Sequence, residues 1–229
     1  PRAPIEDIRR SIDEEPDLRM DDFEAIGGYT WVGVQARQLE GESQKWEEMG
    51  VRAASDEFLK ASEYKFKLIA EGYGTTGEDV WQALMSDPNL AVVGGNVVST
   101  SEGSDSEDSD PWLEKPYYND EKMSAVDVEI REPRTGAVVQ LKVIGVLDRI
   151  HENSGSMIVS KSILDDAIPF PIPITNYRFR LADGVDPKEV ARGMEASLLE
   201  HGMDTEVLEE ELAKEAAGAK TFFRLFIGF

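Results

Sequence analysis

The stretch that decides the fold runs from residue 176 to residue 208 and reads NYRFRLADGVDPKEVARGMEASLLEHGMDTEVL. Its first six residues, Asn176–Leu181, predict a strand. Residues 186–189 (DPKE) then supply a helix cap, a proline at the first helical position and an acid at the third. A helix is therefore expected to begin here, shortly after the strand.

The predicted helix is followed by a second strand and another helix. Gly202 ends the first helix, and Thr205–Leu208 predicts the second strand. A long helix is expected from about Glu209 to the last residue. Strand, helix, strand and long helix in this order indicate an α/β arrangement in which a helix crosses a sheet. The residues on the apolar face of the first helix are Val190, Met194 and Leu198.

The sequence before this stretch also alternates between helix and strand patterns. Ile5, Ile8 and Ile12 recur at spacings of three and four, which predicts a one-sided helix over residues 4–15 that Pro16 ends. Further strands are expected at 24–39, 48–54, 90–93, 124–132, 138–147 and 157–159, and further helices near 55, 77 and 160.

The charge of the chain excludes one class of partner at once. The 229 residues include 24 Lys and Arg against 46 Asp and Glu, a formal net charge of −22. Nucleic-acid binding needs Lys and Arg to displace counterions from phosphates, so we expect no nucleic-acid partner. The same acidity disfavours adsorption to anionic lipid headgroups.

The acidity is partly concentrated in one low-complexity segment. Residues 101–121 contain eight acids and one lysine, a local net charge of −7. Such a stretch buries too little apolar surface to offset its chain entropy, so we predict a mobile loop. The segment lacks the fixed alternation, central glycine and terminal glutamate of a calcium loop.

The chemistry of the chain offers little for catalysis. It has no cysteine, which excludes thiol nucleophiles, cysteine-ligated metals and disulfides. His151 and His201 are the two histidines, and neither a Gly-x-Ser-x-Gly elbow nor a phosphate-binding glycine loop occurs. We therefore expect no catalytic residue, no cofactor and no metal. The four tryptophans are interpreted as core or pocket wall: Trp31, Trp46, Trp81 and Trp112.

The C-terminal nine residues are unusually apolar for so acidic a chain. Residues 221–229 read TFFRLFIGF, although no run of about 18 apolar residues occurs anywhere. Two interpretations stay open: a terminal helix that packs on the core, or the first turns of a membrane helix. In the second case the membrane-proximal residues are Phe222, Phe223, Leu225, Phe226, Ile227 and Phe229.

Four stretches together resemble a known family. Met49–Leu59 is similar to a strand that introduces a short helix, and Val80–Val98 to a helix followed by a buried strand. Val138–Val146 contains a Val-x-Gly-Val hairpin strand, and Tyr177–Phe229 is similar to a strand–helix–strand that enters a membrane helix. The chain thus resembles the extracytoplasmic domain of an FtsX-like or MacB-like ABC transporter permease. The acidic segment 101–121 departs from the pattern.

The resemblance implies an α+β fold in two parts. Residues 1–75 and 172–229 would form a porter-like α/β subdomain. Residues 76–171 would form an inserted, small β-rich subdomain that carries the acidic loop 101–121. Both ends of the chain would lead down to a membrane.

The resemblance also implies a mechanical role on the extracytoplasmic side of the cell membrane. ATP would be hydrolysed by a cytoplasmic nucleotide-binding subunit, and the membrane helices would move this domain against its copy in a homodimer. The motion would drive export, release or signalling to an exported substrate or an extracytoplasmic protein. The groove between the subdomains and the loop at Trp112 and Leu113 are the expected partner contacts.

Two other functions are compatible with the sequence. One is a stand-alone secreted or surface-attached domain that binds a ligand or a protein. The other is a hydrolase that uses His151 or His201 as its base.

Overall fold

The computed structural model of the chain describes residues 4–41, 45–102, 112–149 and 155–198. It confirms a mixed α+β fold. The helices are α1 (Ile5–Glu14), α2 (Asp56–Lys60), α3 (Gly77–Ser86), α4 (Lys161–Ala167) and α5 (Pro187–Leu198). The strands are β1 (Phe23–Gln38), β2 (Glu47–Ala54), β3 (Phe66–Ile69), β4 (Leu90–Val93), β5 (Val126–Arg131), β6 (Val138–Leu147), β7 (Ser156–Ser160) and β8 (Asn176–Leu181).

The helix starts follow from local capping chemistry. The Ser55 hydroxyl accepts a hydrogen bond from the backbone N–H of Phe58 at the start of α2. At the start of α3, Thr76 Oγ1 accepts from the N–H of Asp79, and the Asp79 carboxylate accepts from the N–H of Thr76. Each cap satisfies backbone donors that the first helical turn leaves unbonded. The predicted helix starts near 55 and 77 are confirmed.

The strands form a sheet whose ends meet. The order of paired strands is β2-β7-β4-β6-β5-β1-β8, and β2 also pairs with β1. Strands β1, β2, β7, β4, β6 and β5 therefore form a closed circuit. The pairs β2–β7 and β4–β6 are parallel, whereas β1 is antiparallel to both β2 and β5. β3 pairs antiparallel with the last residues of β6, beyond the β5–β6 pairing.

The chain divides into two compact units. The first contains residues 1–24 and 180–229, and the second contains residues 25–179. The boundaries predicted from the resemblance, after residues 75 and 171, both fall inside the second unit. Pairing around the closed circuit joins strands from both predicted parts, such as β2 with β7. The predicted two-part division stays a prediction. The porter-like character of a subdomain stays a prediction.

The second unit has a continuous apolar core. Its most buried side chains come from β2, β4, β6 and β7, and Phe58 and Leu59 of α2 and Trp81 and Leu84 of α3 add to it. Val51, Val92, Ile144 and Val159 are each fully buried. This burial supplies the main stabilisation of the unit.

The first unit is held by α1 and α5, which pack against each other. Ile8 and Ile12 of α1 are fully buried, and Val190, Met194 and Leu198 of α5 are nearly so. The predicted apolar faces of both helices are confirmed. Leu18 packs so closely on Gly193 that a side chain at position 193 would collide with the Leu18 side chain.

Several predictions lie outside the described residues. These are residues 103–111 of the predicted mobile loop 101–121, the roles of His151 and His201, the strand at Thr205–Leu208, the long helix from Glu209 and the apolar residues 222–229. Within the ranges that the structure describes, no helix is long and apolar enough to cross a membrane.

Candidate functional site

The outer surface of the sheet carries the most distinctive group of side chains in the second unit. Residues directly opposite each other in a sheet share a face, so the pairing register identifies this group. Val138 lies opposite Arg131, Arg131 opposite Gln35, and Gln35 opposite Glu48. These four residues form one row across β6, β5, β1 and β2.

The neighbouring rows lie on the same face because side chains alternate along each strand. Gln140, Glu129 and Arg37 form the row on one side. On the other side lie the pairs Gly33–Gly50 and Trp31–Arg52. The intervening β1 residues Thr30, Val34 and Ala36 are buried, which assigns the opposite face to the interior. We call the outer set of residues the sheet face.

Trp46 lies at one end of the sheet face, where two arginines stack on it. The guanidinium carbons of Arg37 and Arg131 lie 4.5 and 4.3 Å from the centre of the indole ring. Both distances are within the range of cation–π attraction. The two guanidinium groups therefore hold a half-buried tryptophan in one orientation.

The two arginines differ in their hydrogen-bond partners. Arg37 donates to the carboxylate of Glu129, and this hydrogen bond, opposed by burial, lowers the pKa of Glu129. Gln140 donates to the other oxygen of Glu129. Arg131 donates from Nε and Nη2 to the amide oxygen of Gln35, a neutral partner. The positive charge of Arg131 thus remains on the sheet face.

Trp31 is the main exposed aromatic residue of the sheet face, with 48% of its surface accessible. Its ring lies over Gly50, close enough that a side chain at Gly50 would collide with it. The guanidinium carbon of Arg52 is 4.6 Å from the ring centre, and Tyr29 approaches edge-on at 6.3 Å. Trp31 is therefore exposed and held in place.

Arg52 links Trp31 to a buried aromatic cluster. Its side chain is 2% exposed, stacks on Tyr29 at 5.2 Å and donates a hydrogen bond to the Tyr64 hydroxyl at 3.3 Å. Burial raises the pKa of Tyr64, although the charges of Arg178 and Arg52 oppose this. Burial likewise lowers the pKa of Arg178, which stacks on Tyr64 and Phe58. The cluster covers Arg52 at this end of the sheet face and fixes the side chain on which Trp31 rests.

The loop predicted to contact a partner is largely internal. Leu113 is 1% exposed, belongs to the core and forms an isolated bridge with Val98. Trp112 is half-buried and packs against the same core. The side chain of Leu113 therefore fills the interior, and a partner contact at Trp112 and Leu113 stays a prediction. The predicted residues Phe222, Phe223, Leu225, Phe226, Ile227 and Phe229 lie outside the described ranges.

A shallow depression of about 340 Å³ lies beside α3 and is lined by Tyr73, Asp79 and Gln82 among others. The Asp79 carboxylate there accepts hydrogen bonds from the backbone of Thr75 and from Thr76. These hydrogen bonds lower the pKa of Asp79, and the bond from the backbone of Thr75 contributes most. Asp79 is thus occupied in capping α3. Over the described ranges, no three His, Cys, Asp or Glu side chains are grouped to hold a metal ion.

Sequence reasoning did not identify the sheet face. It interpreted all four tryptophans as core or pocket wall, and Trp81 is indeed 3% exposed. Trp31, in contrast, is an exposed residue. The signal that could have found it is the pair of glycines near it, Gly33 and Gly50, because small residues on facing strands leave room for a ring to lie flat on the sheet.

Comparison with known proteins gives solved structures but no sequence relatives. No protein-family model matches the chain, and no curated protein does. The extracellular domain of the noncanonical ABC-type transporter YknZ from Gram-positive bacteria is 15% identical, with a TM-score of 0.46, over 89% of this chain and 86% of that one.

Two further solved structures are similar. The periplasmic region of MacB from Actinobacillus actinomycetemcomitans is 13% identical, with a TM-score of 0.47, over 87% of this chain and 75% of that one. A domain of a protein described as a permease, from Porphyromonas gingivalis, is 15% identical, with a TM-score of 0.42, over 88% and 72%. These are domains of the class that the sequence resembles.

Proposed function

We propose that the chain is a non-catalytic extracytoplasmic domain of an ABC transporter permease. In this function the domain transmits the work of ATP hydrolysis, performed by a cytoplasmic nucleotide-binding subunit, to export, release or signalling outside the membrane. The domain would act as one half of a homodimer.

The observation that carries the proposal is the pairing of the two terminal parts of the chain. α1, near the start, packs on α5, which lies more than 170 residues later, and both belong to the first unit. Residues 25–179 form a unit of their own between them. A domain placed between two membrane helices needs its two ends together on one side, and this arrangement supports that need.

The proposed role also suits the kind of surface that the second unit presents. Its sheet face carries exposed Trp31 and Val138 beside stacked arginines. Tryptophan and arginine are enriched among residues that dominate protein–protein binding energy. A surface of this kind favours contact with another macromolecule over chemistry on a small substrate.

The proposal is tested by assembling the complete permease with its nucleotide-binding subunit. We expect the 229-residue chain alone to hydrolyse no ATP, and the assembled complex to hydrolyse it. Substituting Gly193 by valine should disturb the packing of Leu18 between α1 and α5. In the complex, Gly193→Val should reduce export more than ATP hydrolysis, whereas Glu189→Gln on the exposed side of α5 should change neither.

Loss of ATP hydrolysis and export in equal proportion would argue against a coupling role. ATP hydrolysis by the pure chain would argue against the whole proposal. Melting curves of the isolated variants show whether the first unit still folds.

The exposed Trp31 also supports a second candidate, a stand-alone domain that binds a protein or ligand at the cell surface. The parent reading frame separates the two. The permease requires an apolar stretch of about 20 residues on each side of this chain, and the stand-alone domain requires neither.

A further inference from the structure

The end of the sheet face around Trp31 combines an exposed aromatic ring with an exposed acidic side chain, Glu48. From this arrangement we propose that Trp31, Gly33 and Glu48 form a docking site for an arginine- or lysine-bearing segment of a partner protein. The inference concerns this contact surface and holds for either function proposed above.

The side chain of Trp31 is preorganised. Its ring is positioned by Gly50 below it and by Arg52 and Tyr29 beside it. Because Arg52 is almost completely buried, it cannot itself reach a partner and acts as a fixed support. An aromatic ring that is already ordered loses little conformational entropy on binding. Nearly half of the tryptophan surface remains accessible for stacking.

The space beside the Trp31 ring is open. No atom lies within 4 Å of the position that a Cβ of Gly33 would occupy. Gly33 lies opposite Gly50, so the strand pair has no protruding side chain in that row. A side chain from a partner can therefore lie on the backbone at Gly33, beside the indole ring.

An acidic side chain lies beyond the two glycines. Glu48 lies two residues from Gly50 on β2 and opposite Gln35, which places it about 7 Å further along the same face. Its side chain is exposed, as is that of Glu47. The Trp31 ring leans over Gly50 toward this row, so a guanidinium or ammonium group above Gly33 can approach both the ring and the carboxylate.

Charge over longer distances favours the same partner. Two of the nearby cations are paired with acids on the face itself, Arg37 with Glu129 and Lys142 with Asp127. The chain as a whole carries a net charge of −22, which attracts a basic segment and repels an acidic one. Arginine fits best, because its planar group can stack on an indole while it bonds to a carboxylate.

The test measures binding of an acetylated, amidated hexaarginine peptide to the 229-residue chain at physiological salt. Trp31→Leu removes the aromatic ring and Glu48→Gln removes the carboxylate; each should weaken binding about two- to fivefold. Trp31→Phe should restore most of the loss. Glu189→Gln changes the net charge equally but lies on α5, in the first unit, and should leave binding unchanged.

Equal weakening by Glu48→Gln and Glu189→Gln, or no change with Trp31→Leu, would overturn the inference, because binding would then follow net charge alone. A second measurement needs no substitution. The peptide should shift the indole N–H resonance of Trp31 and leave that of buried Trp81 in place. An unshifted Trp31 resonance at saturation would also overturn it.

Discussion

Nε and Nη2 of Arg37 both donate to the same oxygen of Glu129, at 2.9 and 2.6 Å. The two residues lie opposite each other on β1 and β5, 92 positions apart in the chain. Gln140 on β6 donates to the second oxygen of Glu129. A single carboxylate therefore connects three strands of the sheet face, and the closure of the strand circuit at β1–β5 depends in part on it.

Replacing Glu129 by glutamine should lower the free energy of unfolding by about 1–2 kcal/mol, because the charged acceptor for Arg37 is lost at a position that is 9% exposed. Urea unfolding at neutral pH measures this. The matched control is Asp127→Asn on the same strand, whose pair with Lys142 is exposed and should contribute about 0–1 kcal/mol. Equal losses in the two variants would contradict the importance of the Arg37–Glu129 contact.

Glu132 should give the sheet hairpin a distinct sensitivity to acid. Burial raises the pKa of this carboxyl, but hydrogen bonds from the Thr135 hydroxyl, the Thr135 N–H and Arg134 outweigh burial and lower it to about 2. Since the folded pKa is depressed below the unfolded value of 4.5, the stabilisation is present above pH 4.5 and is lost as the pH falls toward 2.

The variant Glu132→Gln should therefore be less stable than the parent at pH 7, and the difference should shrink as the pH falls from about 4.5 to 2. Urea midpoints of both proteins across this range measure it. A difference that stays constant with pH would mean that the hydrogen bonds of Glu132 do not depend on its charge.

Arg149 should stabilise the second unit through its bonding to loop backbone. Its guanidinium donates to the carbonyls of Gly95 and Val98 and to the hydroxyl of Thr100, and stacks on Tyr118 at 4.3 Å. A lysine ammonium group cannot make the three hydrogen bonds that the planar guanidinium makes. We therefore expect Arg149→Lys to lower the free energy of unfolding by about 1–3 kcal/mol.

The control for Arg149 uses the same aromatic ring. Lys67 lies 5.5 Å from the centre of Tyr118 and is exposed, so Lys67→Ala should change stability by about 0.5 kcal/mol or less. Thermal unfolding compares the two variants. A larger loss for Lys67→Ala than for Arg149→Lys would contradict this assignment.

Replacing Gly27 or Gly33 of β1 by alanine should affect the stability of the protein to different extents. A Cβ at Gly27 would collide with the backbone of Phe58, whereas a Cβ at Gly33 would meet nothing within 4 Å. Gly27→Ala should lower the free energy of unfolding by about 1–3 kcal/mol. Gly33→Ala should leave it nearly unchanged or raise it slightly. Denaturation midpoints decide between them, and equal effects would show that β1 and α2 do not pack as described.

Local features of the fold could be predicted from the sequence, whereas the pairing of its strands could not. The caps at Ser55 and Thr76 and the isoleucine spacing of α1 act within one or two helical turns, so a short window contains the information. The contact between Arg37 and Glu129 depends on which strands become neighbours. That choice is made by burial of the whole core, so no window around either residue contains it.

The candidate site was missed for a related reason. Alternation along β1 indicates that Trp31 and Val34 point to opposite faces, but it does not say which face the rest of the chain covers. The aromatic character of Trp31 favoured the interior, and the packing assigned that face to Val34 and Ala36. Leu113 shows the reverse: it lies beside an acidic stretch, yet it fills the core.

The proposed location outside the membrane is tested most directly by single-cysteine labelling of the complete protein in spheroplasts. The chain has no cysteine of its own, so Asp183→Cys in the first unit and Glu121→Cys in the second, both at exposed positions, report cleanly once any cysteines elsewhere are replaced. Ser156→Cys, at a position 3% exposed, is the buried control. We predict that a membrane-impermeant maleimide labels Asp183→Cys and Glu121→Cys equally before and after lysis. The buried control Ser156→Cys should not be labelled in either case. Labelling of the two exposed positions only after lysis would contradict the proposed location outside the membrane.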